Sequence, residues 1–332
     1  MKLILHAGPE KTGTSAVQAS LFSIRDKLLS KGILYPDVCL WGDKSHHRLA
    51  FSMFEIDAWG ERELFGDLLA RLENEIIASR CETVILSSEL LKKAFSCGNF
   101  SKFSNFVEKL FSDVIVVLVF REQVSWLASV YNQMVKDPVT KCGLTFSEFV
   151  KEEDNVDAMD YYSIASGWRS VPFVSRVLAL NYAEAKNDVA PFFFSSIGFS
   201  SELVESVSVV SPEVVNQSLD RPHLDLIRFF NRFEMPADER HRLNREIVSL
   251  VDSDFNYLAP ERSIIKSGDV EFIREHCLRS NQALKDEFGV MLVLPDSALY
   301  HPDDLYSGVN VRMLAKLFVS SVRSFRSGQD VS

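Results

Sequence analysis

The chain has 332 residues, of which 46% are apolar and 25% charged, enough for one large soluble domain or two small ones with a sizeable core. A formal net charge of −10 argues against a protein that coats nucleic acid, and it requires any anionic ligand to be held by a few local cations. Five cysteines (Cys39, Cys81, Cys97, Cys142 and Cys277), odd in number and without a C-x-x-C pair, argue against a disulfide framework or a cysteine zinc site and point to reduced thiols in the cytoplasm.

Lys2–Ala7 reads as a short buried strand, too short for the apolar region of a secretory signal. A glycine-containing turn, GPEKTGTS, follows it. Thr14–Lys31 then carries Val17, Leu21, Ile24 and Leu28 at helical spacing, and Gly32 suits the left-handed residue that ends a helix. Helices are expected over Lys44–Phe54, Trp59–Ser79 and Ser101–Phe111, with a strand at Thr83–Ser87. Asp113–Phe120 (DVIVVLVF) is apolar on both faces, as in the middle of a parallel sheet covered on each side, and is far too short to span a bilayer. Gln123–Lys136 returns to helical spacing, and Arg176–Leu180 reads as a fourth strand.

This alternation predicts an α/β fold: a doubly wound parallel sheet flanked by helices, with a mostly helical C-terminal half. Leu224–Phe233, Glu239–Leu250, Val270–Glu287 and Val311–Phe325 are the helices expected there. Without a repeat or a long linker, residues 1–332 read as a single domain, an α/β core over 1–186 and a helical lid over 187–332.

The turn after the first strand nearly fits a P-loop. Gly8 and Gly13 are four residues apart, but Thr14 stands where the P-loop lysine belongs and Lys11 precedes the second glycine. A strand–glycine loop–helix still makes an anion site, because backbone N–H groups converge on the positive end of the helix. Thr14 and Ser15 can add hydroxyls and Lys11 a full charge. No aspartate ends the second or third strand to hold magnesium: those strands run into Ser87-Ser88-Glu89 and Phe120-Arg121. Open α/β sheets bind ligands at the carboxyl ends of their strands, so Arg121 is placed to fork onto a phosphate, with the Ser129 hydroxyl two helical turns on.

These residues carry a resemblance. GPEKTGTSAVQ resembles the 5′-phosphosulfate loop of sulfotransferases that use 3′-phosphoadenosine 5′-phosphosulfate (PAPS), whose sheet is P-loop-like. VVLVFREQVSWLASVYNQMVK is similar to their 3′-phosphate motif, with Arg121 and Ser129 at the family's spacing. GILYP, SHHRLA, ILSSELL, LTFSEFV and VNQSL also resemble bacterial, carbohydrate-type members, so the similarity runs from residue 3 to about residue 220.

The resemblance implies that Lys11 binds the 5′-phosphosulfate, that Thr12, Gly13, Thr14 and Ser15 cradle it, and that Arg121 and Ser129 hold the 3′-phosphate. It implies PAPS as sulfuryl donor, no metal, and a carbohydrate or lipid-linked hydroxyl as acceptor, bound on the side of the helical half. A hydroxyl acceptor needs a base. Glu89, at the ligand edge after the second strand, is one candidate, although Ser88 and Glu89 also fit the start of a helix. His46 and His47 form the second, and His6 fits a place in the core better than a catalytic one. Trp126, Tyr131, Trp168 and Tyr182 read as packing residues, Asn216 and Ser218 fit turn chemistry, and Lys266 precedes a Ser-Gly step that does not match the family's closing motif. Two further readings stay open on the residues alone: a P-loop kinase or NTPase with a shifted lysine, and a nucleotide-binding module without catalysis.

Overall fold

The computed structural model describes residues 1–57, 63–185, 188–207, 219, 221–254 and 263–300. The expected helix Val311–Phe325, and Asn216 and Ser218, lie outside the described residues.

Among the described residues the sheet has five strands, β1 (Lys2–His6), β2 (Ile33–Leu34), β3 (Thr83–Ser87), β4 (Asp113–Phe120) and β5 (Arg176–Asn181), in the order β2-β3-β1-β4-β5. All the pairings are parallel, as expected of the α/β alternation. The added strand, β2, is only two residues long, too short for a periodicity to reveal. It is joined to β3 through Gly32, whose carbonyl accepts from the N–H groups of Glu82 and Thr83.

The helices are α1 (Thr14–Ser23), α2 (Arg25–Ser30), α3 (His47–Met53), α4 (Phe65–Ser79), α5 (Phe100–Leu110), α6 (Gln123–Lys136), α7 (Phe146–Phe149), α8 (Glu153–Ala158), α9 (Tyr161–Arg169), α10 (Val189–Ser196), α11 (Ser201–Val207), α12 (Arg221–Asn231), α13 (Ala237–Asp254) and α14 (Ser267–Phe288). The single helix expected over Thr14–Lys31 is broken at Ile24, whose φ of −105° and ψ of 13° leave the helical region, so the apolar stripe belongs to two short helices. α6 has the bounds its spacing predicts.

The chain divides into two compact units. One comprises Met1–Glu122, Asp160–Val215 and Leu278–Val293, and the other Gln123–Met159, Asn216–Cys277 and Leu294–Ser332. The first holds the whole sheet. Successive strand residues point to opposite faces, and both faces of this sheet are buried. Ile4, Ile85, Ile115, Val117 and Val119 pack with Val17 and Leu21 of α1 and Phe193 and Phe194 of α10. Leu3, Leu5, Val84, Leu86, Val116 and Leu118, the alternate set, are equally buried. On their side Phe120 stacks on Tyr161 of α9, ring centroids 4.7 Å apart. Burying each such aliphatic side chain is worth about 1.5–3 kcal/mol, so β4, with seven buried residues in succession, anchors the unit.

The second unit is helical. In it Arg240 of α13 is fully buried, and its guanidinium donates to the Phe230 and Phe233 carbonyls and to Asn231 Oδ1 at the end of α12. Orphan carbonyls at a helix C-terminus need such donors.

Candidate active site at the strand ends

Parallel register sets His6 opposite both Ser87 and Val117, which brings the carboxyl ends of β1, β3 and β4 to one edge. The loop leaving β1 is held tightly there. A Cβ at Gly8 would lie 2.8 Å from the Val119 backbone nitrogen, so only glycine lets the loop pass β4 so closely. Gly13 has φ +84° and precedes α1, with Val189 of α10 filling the space where its side chain would go. Lys11 is itself left-handed, with φ +61°, an uncommon state for a non-glycine residue and one met at functional sites.

Thr12 is buried and its hydroxyl donates to the Pro9 carbonyl at 2.7 Å. That hydrogen bond braces the loop, so the Thr12 hydroxyl does not offer its proton to a ligand and the residue is left with its N–H. Thr14 is buried and Ser15 exposed at the start of α1, where the first N–H groups have no helical acceptor.

Lys11 and Arg121 meet electrostatically at this edge. Burial lowers the Lys11 pKa most, Arg121 lowers it further, and Glu89 and Glu10 partly offset both. Among the described residues neither cation enters a salt bridge. Glu10 is instead paired with Lys92 at 2.7 Å, and Arg121 lies over the Tyr182 ring, 5.2 Å from its centroid. Tyr182, expected merely to pack, thus stands at the site edge, whereas Trp168 of the first unit and Trp126 and Tyr131 of the second are buried packing residues.

Glu89 opens a single helical turn after β3. Its Oε2 accepts from Gln18 Nε2 at 3.0 Å, and Thr14 Oγ1 lies 3.5 Å from Oε1. His47 Nε2 is 3.8 Å from the same Oε1 and 3.4 Å from Asp43 Oδ2. His47 Nδ1 is 2.8 Å from Ser88 Oγ. With carboxylates at Nε2, the tautomer that fits has its proton there and accepts from Ser88 at Nδ1. The Ser88 hydroxyl therefore orients His47 and makes no cap bond to the following turn, contrary to the capping expected of it.

The adjacent histidine differs completely. His46 is buried, its Nδ1 accepts from the Ser87 N–H at 2.9 Å, and its Nε2 donates to the Pro36 carbonyl at 2.9 Å. Burial pushes its pKa down to about 4. With no lone pair to give a substrate, His46 drops out as a base. His6 is also buried, bonded through Nδ1 to Ser87 Oγ at 2.9 Å and packed on Phe193, with burial pushing its pKa to about 4.

The structure thus gathers Lys11, Thr12, Gly13, Thr14, Ser15, Glu89, His47 and Arg121 at the edge of the first unit. Ser129 is half-buried on α6, an element of the second unit, as is Lys266, whose N–H donates to Asp269 Oδ2. Gln18 and Asp43 were not among the expected site residues. Gln18 follows Thr14 by four residues, one helical turn, which is the only signal the sequence holds for it. Among the described residues no group of three or more His, Cys, Asp or Glu is arranged to hold a metal ion.

No family model matches the chain, and no curated protein matches it. Among solved structures it is similar to a sulfotransferase from Alicyclobacillus acidocaldarius, at 15% identity and a TM-score of 0.45 over 87% of this chain and 96% of that one. So loose a likeness leaves the fold to rest on the sheet topology given above.

Proposed function

We propose that the protein is a PAPS-dependent sulfotransferase that moves a sulfuryl group to an acceptor hydroxyl on a carbohydrate or glycolipid. The observation that carries this reading is the pair Lys11 and Arg121: two cations at adjoining strand ends, Arg121 lowering the Lys11 pKa and neither in a salt bridge among the described residues. Like charges brought together beside a loop of converging N–H groups call for an anion with more than one charged group. The donor fits that demand, with a phosphosulfate at one end and a 3′-phosphate at the other.

Lys11, with the N–H groups of Thr12, Gly13, Thr14 and Ser15, holds the 5′ end and stabilises charge on the bridging oxygen. Arg121 holds the 3′-phosphate. When bound, the donor supplies the sulfuryl group and a bisphosphate leaving group. Glu89, fixed through Oε2 by Gln18, keeps Oε1 for the acceptor proton, and His47 steadies that oxygen. The acceptor oxygen bonds to sulfur, its proton passes to Glu89, and the bond from sulfur to the 5′-phosphate oxygen breaks with its electron pair going to the nucleotide. As in phosphoryl transfer, positioning and electrostatics do most of the work, and one well-aimed donor is worth roughly 10²–10³ in rate. The cytoplasm is proposed as the compartment on the strength of an odd cysteine count without a C-x-x-C pair; among the described residues no helix is long and apolar enough to cross a membrane.

Calorimetry with adenosine 3′,5′-bisphosphate and with ATP, each with and without magnesium, tests the reading. Metal-independent binding of the bisphosphate is expected. Magnesium-dependent ATP binding with no response to the bisphosphate would replace this reading with the kinase or NTPase one.

A further inference from the structure

Next to His47, the neighbour of Glu89, is an aromatic wall that no role above uses. His47 leads to Phe51 of α3, ring centroids 5.8 Å apart, and Phe51 to Trp41, 5.2 Å away and edge-to-face. Trp41 and Phe51 are both half-buried, so each keeps surface towards solvent. Asp43 stands beside them, its side chain 52% exposed and its Oδ2 3.4 Å from His47 Nε2.

The turn carrying Trp41 and Asp43 is fixed before any ligand arrives. The Trp41 N–H donates to the Ser45 carbonyl at 2.8 Å, and the Lys44 N–H to the Trp41 carbonyl at 3.0 Å. Asp43 Oδ1 accepts from both the N–H and the hydroxyl of Ser45, at 3.0 and 2.5 Å, which commits one oxygen to the turn while Oδ2 faces His47. Tyr35 donates its hydroxyl to the Lys44 carbonyl at 2.7 Å, and the Lys44 ammonium is engaged 4.6 Å over the Phe22 ring. A surface held this way loses little freedom on binding.

We propose that Trp41, Asp43, His47 and Phe51 form the acceptor subsite, and that it takes an uncharged, ring-bearing polyol, a neutral sugar, in preference to an anionic one. The proposal rests on the sulfuryl-transfer reading. A pyranose presents a C–H face that packs on aromatic surface and hydroxyls that donate to a carboxylate, the combination of apolar wall and few fixed polar groups that binds small ligands. Asp43 and Glu89 both face His47 Nε2, so two carboxylates line the acceptor side. A carboxylate or sulfate ester on the acceptor meets like charge there. The hydroxyl next to Glu89 loses its proton to that carboxylate, its oxygen bonds to the sulfur, and adenosine 3′,5′-bisphosphate departs.

The test is transfer from labelled PAPS to methyl glucoside and to methyl glucuronide, by wild type, Trp41→Ala and Asp43→Asn, with bisphosphate calorimetry on each protein. Expected is at least tenfold higher kcat/KM for the glucoside in wild type. Trp41→Ala should raise its KM tenfold or more, Asp43→Asn should narrow the preference, and both should keep wild-type bisphosphate affinity. The subsite assignment fails if the glucuronide is the better acceptor. It also fails if neither sugar is sulfated by a protein that binds the bisphosphate, or if both variants keep wild-type KM and preference. Loss of bisphosphate binding in wild type would instead bring down the sulfuryl-transfer reading, and the subsite with it.

Discussion

Replacing His46 by glutamine separates the two neighbouring histidines and puts a magnitude on the difference. In the folded protein burial holds the His46 pKa near 4 against an ordinary value of 6.5, so on acidification the unfolded chain takes up this proton first. His46 therefore contributes stability that is whole above about pH 7 and is lost as pH falls from 6.5 towards about 4. The gap corresponds to on the order of 3 kcal/mol. Glutamine removes the titration and weakens the bonds to the Ser87 N–H and the Pro36 carbonyl, a loss of roughly 1–2 kcal/mol at pH 7.5. Urea denaturation of both proteins at pH 7.5 and pH 4.5 reads the balance. The variant should be the less stable at pH 7.5, and at pH 4.5 the difference should move by about 2–3 kcal/mol in its favour, enough to cancel or reverse the deficit. His6 titrates in the same window and remains in both proteins, so it cancels in the difference. An equal deficit at the two pH values would show that His46 is not the buried neutral histidine described, and a variant without bisphosphate binding would return it to the site.

Further outcomes follow from the same geometry. Glu89→Gln should keep bisphosphate affinity and lose roughly 10²–10⁴-fold in turnover, measured by transfer from labelled PAPS; an unchanged rate would mean that another group takes the proton. Lys11→Ala should fold with wild-type stability or better, because a partly buried cation beside Arg121 is removed, yet lose bisphosphate affinity tenfold or more by calorimetry. The lowered Lys11 pKa also sets a pH dependence: bisphosphate affinity should fall with rising pH below the ordinary lysine range, and Lys11→Arg should abolish that fall. Gly13→Ala forces a side chain into φ +84° and within 2.8 Å of Val189, and should lower stability by about 1–3 kcal/mol in urea denaturation.

The buried elements were the legible ones. β4 announces itself by an unbroken apolar run, and α6 by a stripe that needs no partner to be recognised. β2 has only two residues, and the stripe through Val17, Leu21, Ile24 and Leu28 hides a break that only backbone angles reveal. Within the site, Lys11 and Arg121 could be read from their places after apolar strands, since a strand end in an open α/β sheet already implies a ligand edge. Gln18 could not, because its partner Glu89 is 71 residues away. His46 and His47 looked equivalent in sequence. Successive residues at a helix start point about 100° apart, and here one direction leads to the core and the other to Glu89.

The central claim is that Arg121 and Lys11 together form a site for two separated anionic groups. Its most direct test is the ratio of affinities for adenosine 3′,5′-bisphosphate and adenosine 5′-monophosphate, measured by calorimetry in wild type and in Arg121→Ala. A preference of tenfold or more for the bisphosphate in wild type, lost in the variant while the monophosphate still binds, is what the account predicts. Equal affinities in wild type, or a preference that survives loss of the guanidinium, would contradict it.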